Sequence, residues 1–161
     1  MSRRWVLNAS PIMALSATGH VSLVTELSEQ AVVPSGVAEE ILRGPADSPA
    51  VQWLNGEGGR LVQAVDGLDP AVLAWDLGRC ETEVLTWARR HPEFEAVLDG
   101  RAERVCAAAF NVPVRCTLGI ILLAKRLGRI PAVGPVLAAL EEAEFPVDPT
   151  LRAQIIQHAG E

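Results

Sequence analysis

No stretch of this sequence approaches the roughly 18 uninterrupted apolar residues of a membrane span, although 49% of its 161 residues are hydrophobic. It also lacks any low-complexity tract, and charged residues make up 21%. Disordered and fibrous classes are therefore excluded in favour of an ordinary globular fold. Cysteine is scarce: Cys80, Cys106 and Cys116 are odd in number and have no CxxC spacing. That argues against a disulfide framework or a thiolate metal site, and for buried thiols in a reducing cytoplasm. His20, His91 and His158 are scattered, with no spacing for a metal or a nucleophile relay. Tyrosine is absent altogether, an absence that excludes nothing. An excess of positive charge is lacking too, and the net charge of -6 argues against a protein that coats nucleic acid through bulk electrostatics.

The charge is unevenly spread. Residues 1–78 carry four arginines and nine acids, net -5; residues 79–129 carry nine Lys/Arg and six acids, net +3; residues 130–161 carry one arginine and five acids, net -4. The central third suits a phosphate-facing surface and, equally, solvated helix faces. At the start, MSRRWVLNASPIMALSATG faintly mimics a signal peptide, but Asn8, Ser10 and Pro11 break the apolar run early, so it reads as a first strand and helix. The length suits one domain, 1–161, with a core of about 3–130 and a C-terminal helical extension of about 131–161.

Strand-like runs are expected at 5–7, 31–33, 60–65, 96–98 and 112–116. Helical segments are expected between them at 22–27, 35–42, 81–90, 101–110 and 118–127, the last closed by Gly128. This β-α alternation implies an α/β fold with a mostly parallel sheet covered on both faces. Beyond Gly128 the pattern becomes helix on helix, at 133–144 and 149–158, a pair that packs on the domain or on a second subunit.

In an open parallel sheet, ligands gather at the carboxyl ends of the strands. Asn8 and Asp99 end the first and fourth strands and should lie at that edge. Glu40 and Glu81, on helices that follow strands, can lean over the same cleft. Asn8 either serves the site or bonds its side chain to the Ser-Pro turn. Ser10, with Pro11 behind it, suits a helix N-cap, as does Thr117, and both sit near the edge. Lys125, Arg126 and Arg129 complement the negative end of a helix. Arg101 and Arg104, close after Asp99, are better placed to meet phosphate. Trp5, Trp53, Trp75 and Trp87 read as packing residues before base-stacking ones.

The blocks VLNASPIMAL, VVPSGVAEEIL, LGRCETEVLTWA and AVLDGRAERVCAAAFNVPVRCTLGIILLAKRLGRIP, in this order and spacing, resemble the PIN-like family, whose fold is shared by VapC-type toxin ribonucleases of toxin-antitoxin pairs. The resemblance covers nearly the whole chain. It implies a three-layer α/β/α fold and a carboxylate cluster that holds Mg or Mn and cleaves RNA by metal-activated water. It further implies RNA as substrate, single-stranded or structured, and an antitoxin protein as partner; the cysteines suggest a cytoplasmic location, the C-terminal helical pair a homodimer, and the lack of a long apolar run no membrane association.

Position by position, the family's first acid falls on Asn8, a departure, the second on Glu40 and the third on Glu81, with Gly78 and Glu83 also matching. The fourth block usually reads Leu-Asp-Asp-Arg and here is Leu98-Asp99-Gly100-Arg101, so one of two adjacent acids is missing. The resemblance thus implies Glu40, Glu81 and Asp99 as metal ligands and Asn8 as a neutral ligand or water positioner. Arg101 and Arg104 become phosphate contacts. Asp99 is ligand, cap of the following helix, or both. Ser10, Thr117, Glu83 and Glu103 are supporting candidates; Glu83 lies roughly 200° around the helix from Glu81, whereas Glu103 can fold back over the strand end. The competing expectation, from two lost acids, is an impaired PIN fold that binds nucleic acid or protein without cleaving.

Overall fold

In the computed structural model, which describes residues 3–161, five short strands form one sheet. They are β1 (Arg4–Leu7), β2 (Gln30–Pro34), β3 (Val62–Gln63), β4 (Glu95–Val97) and β5 (Val114–Arg115). Their order is β3-β2-β1-β4-β5 and every pairing is parallel. Parallel neighbours require crossovers, and the intervening segments supply helices that cover both faces. The α/β/α expectation is met, with a sheet wholly rather than mostly parallel. Trp5, Val6 and Leu7 on the central strand are completely buried, as the continuous apolar run anticipates.

The helices are α1 (Ala9–Ala17), α2 (Leu23–Leu27), α3 (Ser35–Leu42), α4 (Pro49–Asn55), α5 (Pro70–Leu73), α6 (Arg79–Arg90), α7 (Arg101–Ala109), α8 (Thr117–Arg126), α9 (Gly134–Glu142) and α10 (Pro149–His158). Two of these, α4 and α5, escape the sequence reading although each carries a start signal. Ser48 and Asp69 accept from the N–H groups of Val51 and Ala71, each with proline next in the chain, the N-cap and N1 pattern. The strand expected over 60–65 shrinks to two residues because a 3-10 turn, Glu57–Leu61, occupies its start. Gly58 lies so close to the Trp53 ring that a Cβ there would meet it at 2.5 Å.

Helix ends follow a common device. At α8, Gly128 adopts φ +72° and the Arg129 N–H reaches back to the Ala124 carbonyl, a Schellman closure. At α9 the left-handed position is Glu144, φ +66°, and the Phe145 N–H bonds the Leu140 carbonyl. This closure holds Phe145 at a fixed place in the turn before α10. The C-terminal pair adds Val136, Leu137, Leu140 and Ile155 to the buried core. Glu161 ties it down, its side chain accepting from the N–H groups of Val133 (2.8 Å) and Gly134 (3.2 Å) and lying 3.4 Å from Lys125 Nζ.

The tryptophans divide. Trp5 and Trp53 are buried, whereas Trp75 is exposed beside Phe110.

A buried carboxylate links α6 to the start of α3. Glu83, a supporting site candidate, is only 4% exposed and accepts from the Gly36 N–H at the start of α3 and from Arg79 Nε, both at 2.9 Å. Its role is structural, and it lines neither edge cavity described below. A carboxylate at a helix N-terminus is favoured by the orphan N–H groups and the dipole there. The fit needs glycine: a Cβ on Gly36 would stand 2.5 Å from Glu83 Oε2. Gly36→Ala should therefore cost about 1–3 kcal/mol in urea unfolding, and an unchanged midpoint would show that the carboxylate can retreat freely.

Candidate active site

The central position of β1 brings its carboxyl end between β2 and β4, where successive crossovers diverge. Asn8 leaves β1 with its N–H bonded to the Val97 carbonyl of β4 (3.2 Å), so it stands at the topological switch point of the sheet. It is also the N-terminal residue flanking α1, yet its side chain makes no cap bond. Asn8 Oδ1 is buried and has no hydrogen-bond partner among the described residues. The proposed Ser-Pro turn bond is thus not made. Ser10 is not the N-cap either: it lies inside α1, because the helix begins at Ala9, ahead of Pro11, rather than at the Ser-Pro signal.

Around Asn8 lies a cavity of about 550 Å³ that includes Ser10, Glu40, Glu81 and Glu103. Glu40 comes from α3, Glu81 from the first turn of α6 and Glu103 from the first turn of α7. Gly78, with φ +108°, makes the turn into α6, a conformation that side chains resist. Glu81 is half-buried, and burial pushes its pKa above the ordinary 4.5. The charges of Glu103 and Glu40 push the same way, against hydrogen bonds from its own backbone N–H and from the Asn8 side chain. Glu40 is exposed and pairs with Arg43 at 3.1 Å.

Asp99 does something different from what the resemblance implies. Its Oδ1 accepts from the Thr117 N–H (2.8 Å) and its Oδ2 from Thr117 Oγ1 (2.7 Å). Both oxygens are engaged at the start of α8, so Asp99 clamps the ends of β4 and β5 together. It caps α8, not α7, the helix that follows it. Thr117 is correspondingly the first residue of α8 rather than its N-cap, which is Cys116, whose Sγ accepts from the Gly119 N–H. Asp99 and Thr117 line an adjoining cavity and not the one around Asn8.

Glu103 occupies the space beside the position of the missing acid. A Cβ on Gly100 would collide with the Glu103 carboxylate, so the space above the α7 N-terminus is already filled by a carboxylate four residues beyond Asp99. Arg101 is exposed and lines neither cavity, whereas Arg104 lines the adjoining one.

Sequence reasoning missed Arg79, Cys80, Met13 and Phe145 at the cavity around Asn8. Arg79 and Cys80 adjoin Glu81, a signal that was open to use; Phe145 arrives from the C-terminal turn, for which sequence spacing offers none. Arg79 is held at the rim by Glu39 (2.6 Å) and Glu83. The Cys80 thiol is pushed up to about 11 by burial and then by Glu81, Glu40 and Glu83, which favours the protonated thiol at neutral pH.

The donors available are oxygens, the set preferred by Mg, Mn and Ca. Three repelling carboxylates and a buried, unpartnered amide oxygen form an environment that a divalent cation relieves, and in that respect the residues fit one. They do not form a ready-made cage: among the described residues no three Asp, Glu, His or Cys side chains are grouped closely enough to hold a metal.

Two outcomes follow from this geometry. The folded protein holds the Glu81 proton more tightly than the unfolded chain does, so its stabilising effect is complete below pH 4.5 and is lost as pH rises through the raised folded value. Glu81→Gln should accordingly raise the melting temperature at pH 7 in chelator, with the gain shrinking as pH falls into that window; a loss of stability at pH 7 would contradict the crowding. Asp99→Ala should cost about 2–4 kcal/mol in denaturant unfolding, since it strands the buried Thr117 donors, and a cost under about 0.5 kcal/mol would contradict the clamp.

A family model for the PIN domain matches residues 4–161. No curated protein and no solved structure matches the chain. With a match over almost the whole length and an all-parallel five-stranded sheet whose carboxyl edge gathers acidic residues, the chain belongs to the PIN domain family.

Proposed function

We propose that this protein is a divalent-cation-dependent endoribonuclease whose working groups are Asn8, Glu40, Glu81 and Glu103. The observation that carries this reading is one cavity lined by three carboxylates, drawn from α3, α6 and α7, and by Asn8, whose buried amide oxygen has no partner among the described residues. Glu40, Glu81 and Glu103 would hold Mg or Mn together with the Asn8 carbonyl oxygen, and the bound ion would supply an activated water and offset charge on a phosphate. Without that ion the carboxylates repel a phosphodiester, so substrate entry depends on them being neutralised. Arg104 beside the adjoining cavity provides positive charge near the acidic centre, whereas Arg79 at the rim is already paired with Glu39 and Glu83. The resemblance in the sequence supports a toxin-type enzyme held by an antitoxin protein.

A second reading has its own support. Asn8 brings no charge, and Asp99 is fully occupied by Thr117. Both favour a PIN fold that binds nucleic acid or protein with its catalysis impaired.

Purified protein incubated with mixed single-stranded RNA should cleave in Mg or Mn and stop in chelator. Glu81→Gln and Glu103→Gln should each lower the rate about 100-fold or more, a loss at least as large as that for a group supporting a metal ligand. Asn8→Asp should reduce the cation concentration needed for half activity about tenfold, because ligand charge sets affinity for hard ions. Cleavage confined to Asn8→Asp would favour the impaired reading. Cleavage that survives chelator, or is untouched by Glu81→Gln, would overturn the proposal.

A further inference from the structure

A second cavity, about 450 Å³, lies along the same sheet edge and shares Ser10, Glu103 and Phe145 with the acidic one. Its size falls in the range of roughly 300–1,000 Å³ typical of small-molecule sites. Its walls differ in kind from the acidic centre. Leu118 from α8, Leu140 from α9, Phe145 and Val147 from the connecting turn and Leu151 from α10 form an apolar slot, with Arg104 from α7 at its margin. Three acids also border it: both Asp99 oxygens are held by Thr117, Asp148 accepts from the Leu151 N–H at the start of α10, and Glu103 is shared with the acidic centre. The slot therefore presents apolar faces and one ring, with the Glu103 carboxylate on the side it shares with the acidic centre.

We infer that this cavity takes an unpaired nucleobase of the nucleotide next to the phosphate seated at the acidic centre, with Phe145 as the stacking wall and Arg104 meeting the backbone phosphate. The inference rests on the nuclease reading for its orientation. A flat aromatic base is the group that such a slot accommodates, since every base has a π-face that stacks on a ring. Paired bases in a duplex cannot enter it, so the site selects single-stranded segments. Phe145 is well suited because the Schellman closure at Glu144 fixes its backbone before substrate arrives, and a fixed wall loses little freedom on binding. Leu151, 40% exposed, borders the opening and can be enlarged without entering the core.

The test measures binding of short fluorescent single-stranded RNAs by anisotropy in calcium, with circular dichroism confirming the fold of each variant. Phe145→Ala should weaken binding about tenfold, the size of one lost base stack, and Phe145→Trp should restore it. Leu151→Trp, which fills the slot, should weaken binding similarly. An RNA with one abasic nucleotide at the slot position should bind the parent protein as weakly as intact RNA binds Phe145→Ala, and the two losses should not add. Intact and abasic RNA bound equally, or affinity unmoved by Leu151→Trp and Phe145→Ala, would overturn the assignment and leave the slot to a protein side chain. The two proposals fail separately. RNA held through Phe145 but never cleaved in Mg or Mn sinks the nuclease reading and keeps the slot; cleavage indifferent to Phe145 does the reverse.

Discussion

The parallel pairing of β1 with both β2 and β4 is the constraint on which everything else depends. Because β1 is central, its register with β2 through Arg4, Trp5 and Val6 and with β4 through Trp5, Val6 and Leu7 leaves Asn8 as the first residue beyond the ladder. Crossovers on either side then have to leave and return around that residue. They deliver the first turns of α6 and α7 beside it, together with the far end of α3. Trp5, Val6 and Leu7 are buried on both faces of the sheet, so a one-residue shift would draw Arg4 or Asn8 into the covered ladder in place of an apolar residue.

The acidic centre is best understood as a redistribution of carboxylates rather than a simple loss. Residue 100 has no side chain, and the Glu103 carboxylate lies in the space one would need. Asp99, adjacent in sequence to the missing acid, is engaged in joining β4 to α8 through Thr117. Glu83 matches the family pattern but serves the α3 N-terminus. Three negative charges therefore remain near Asn8, from Glu40, Glu81 and Glu103, and the mutual repulsion they impose on Glu81 is the electrostatic tension that a divalent cation would release.

The order of strands and helices was legible because hydrophobic periodicity and terminal glycine or proline signals carry it. The spans 35–42 and 149–158 match α3 and α10 residue for residue. Where reading failed, the cause was local packing or competing caps. A 3-10 turn over Glu57–Leu61, with Gly58 close against Trp53, took the start of the run expected at 60–65, and Asn8 and Cys116 hold the cap positions expected of Ser10 and Thr117. For the site, Asn8, Glu40 and Glu81 could be brought together from strand-end logic and the family pattern. The partner of Asp99 could not be found that way, because a contact between residues 99 and 117 depends on β4 and β5 lying side by side. The contribution of Phe145 was equally hidden, since it comes from a turn outside the β-α alternation.

The fold thus places two unlike environments side by side, one acidic and oxygen-rich, one apolar with a ring at its wall. Their adjacency suits a substrate that carries phosphates and bases in alternation. All of it turns on the acidic side being a cation seat. Crystals soaked in Mn and measured for anomalous scattering test this most directly: the account predicts a peak between Asn8 Oδ1 and the Glu81 carboxylate that disappears in Glu81→Gln. Anomalous density confined to other surface carboxylates, with Asn8 Oδ1 left unpartnered, would contradict it.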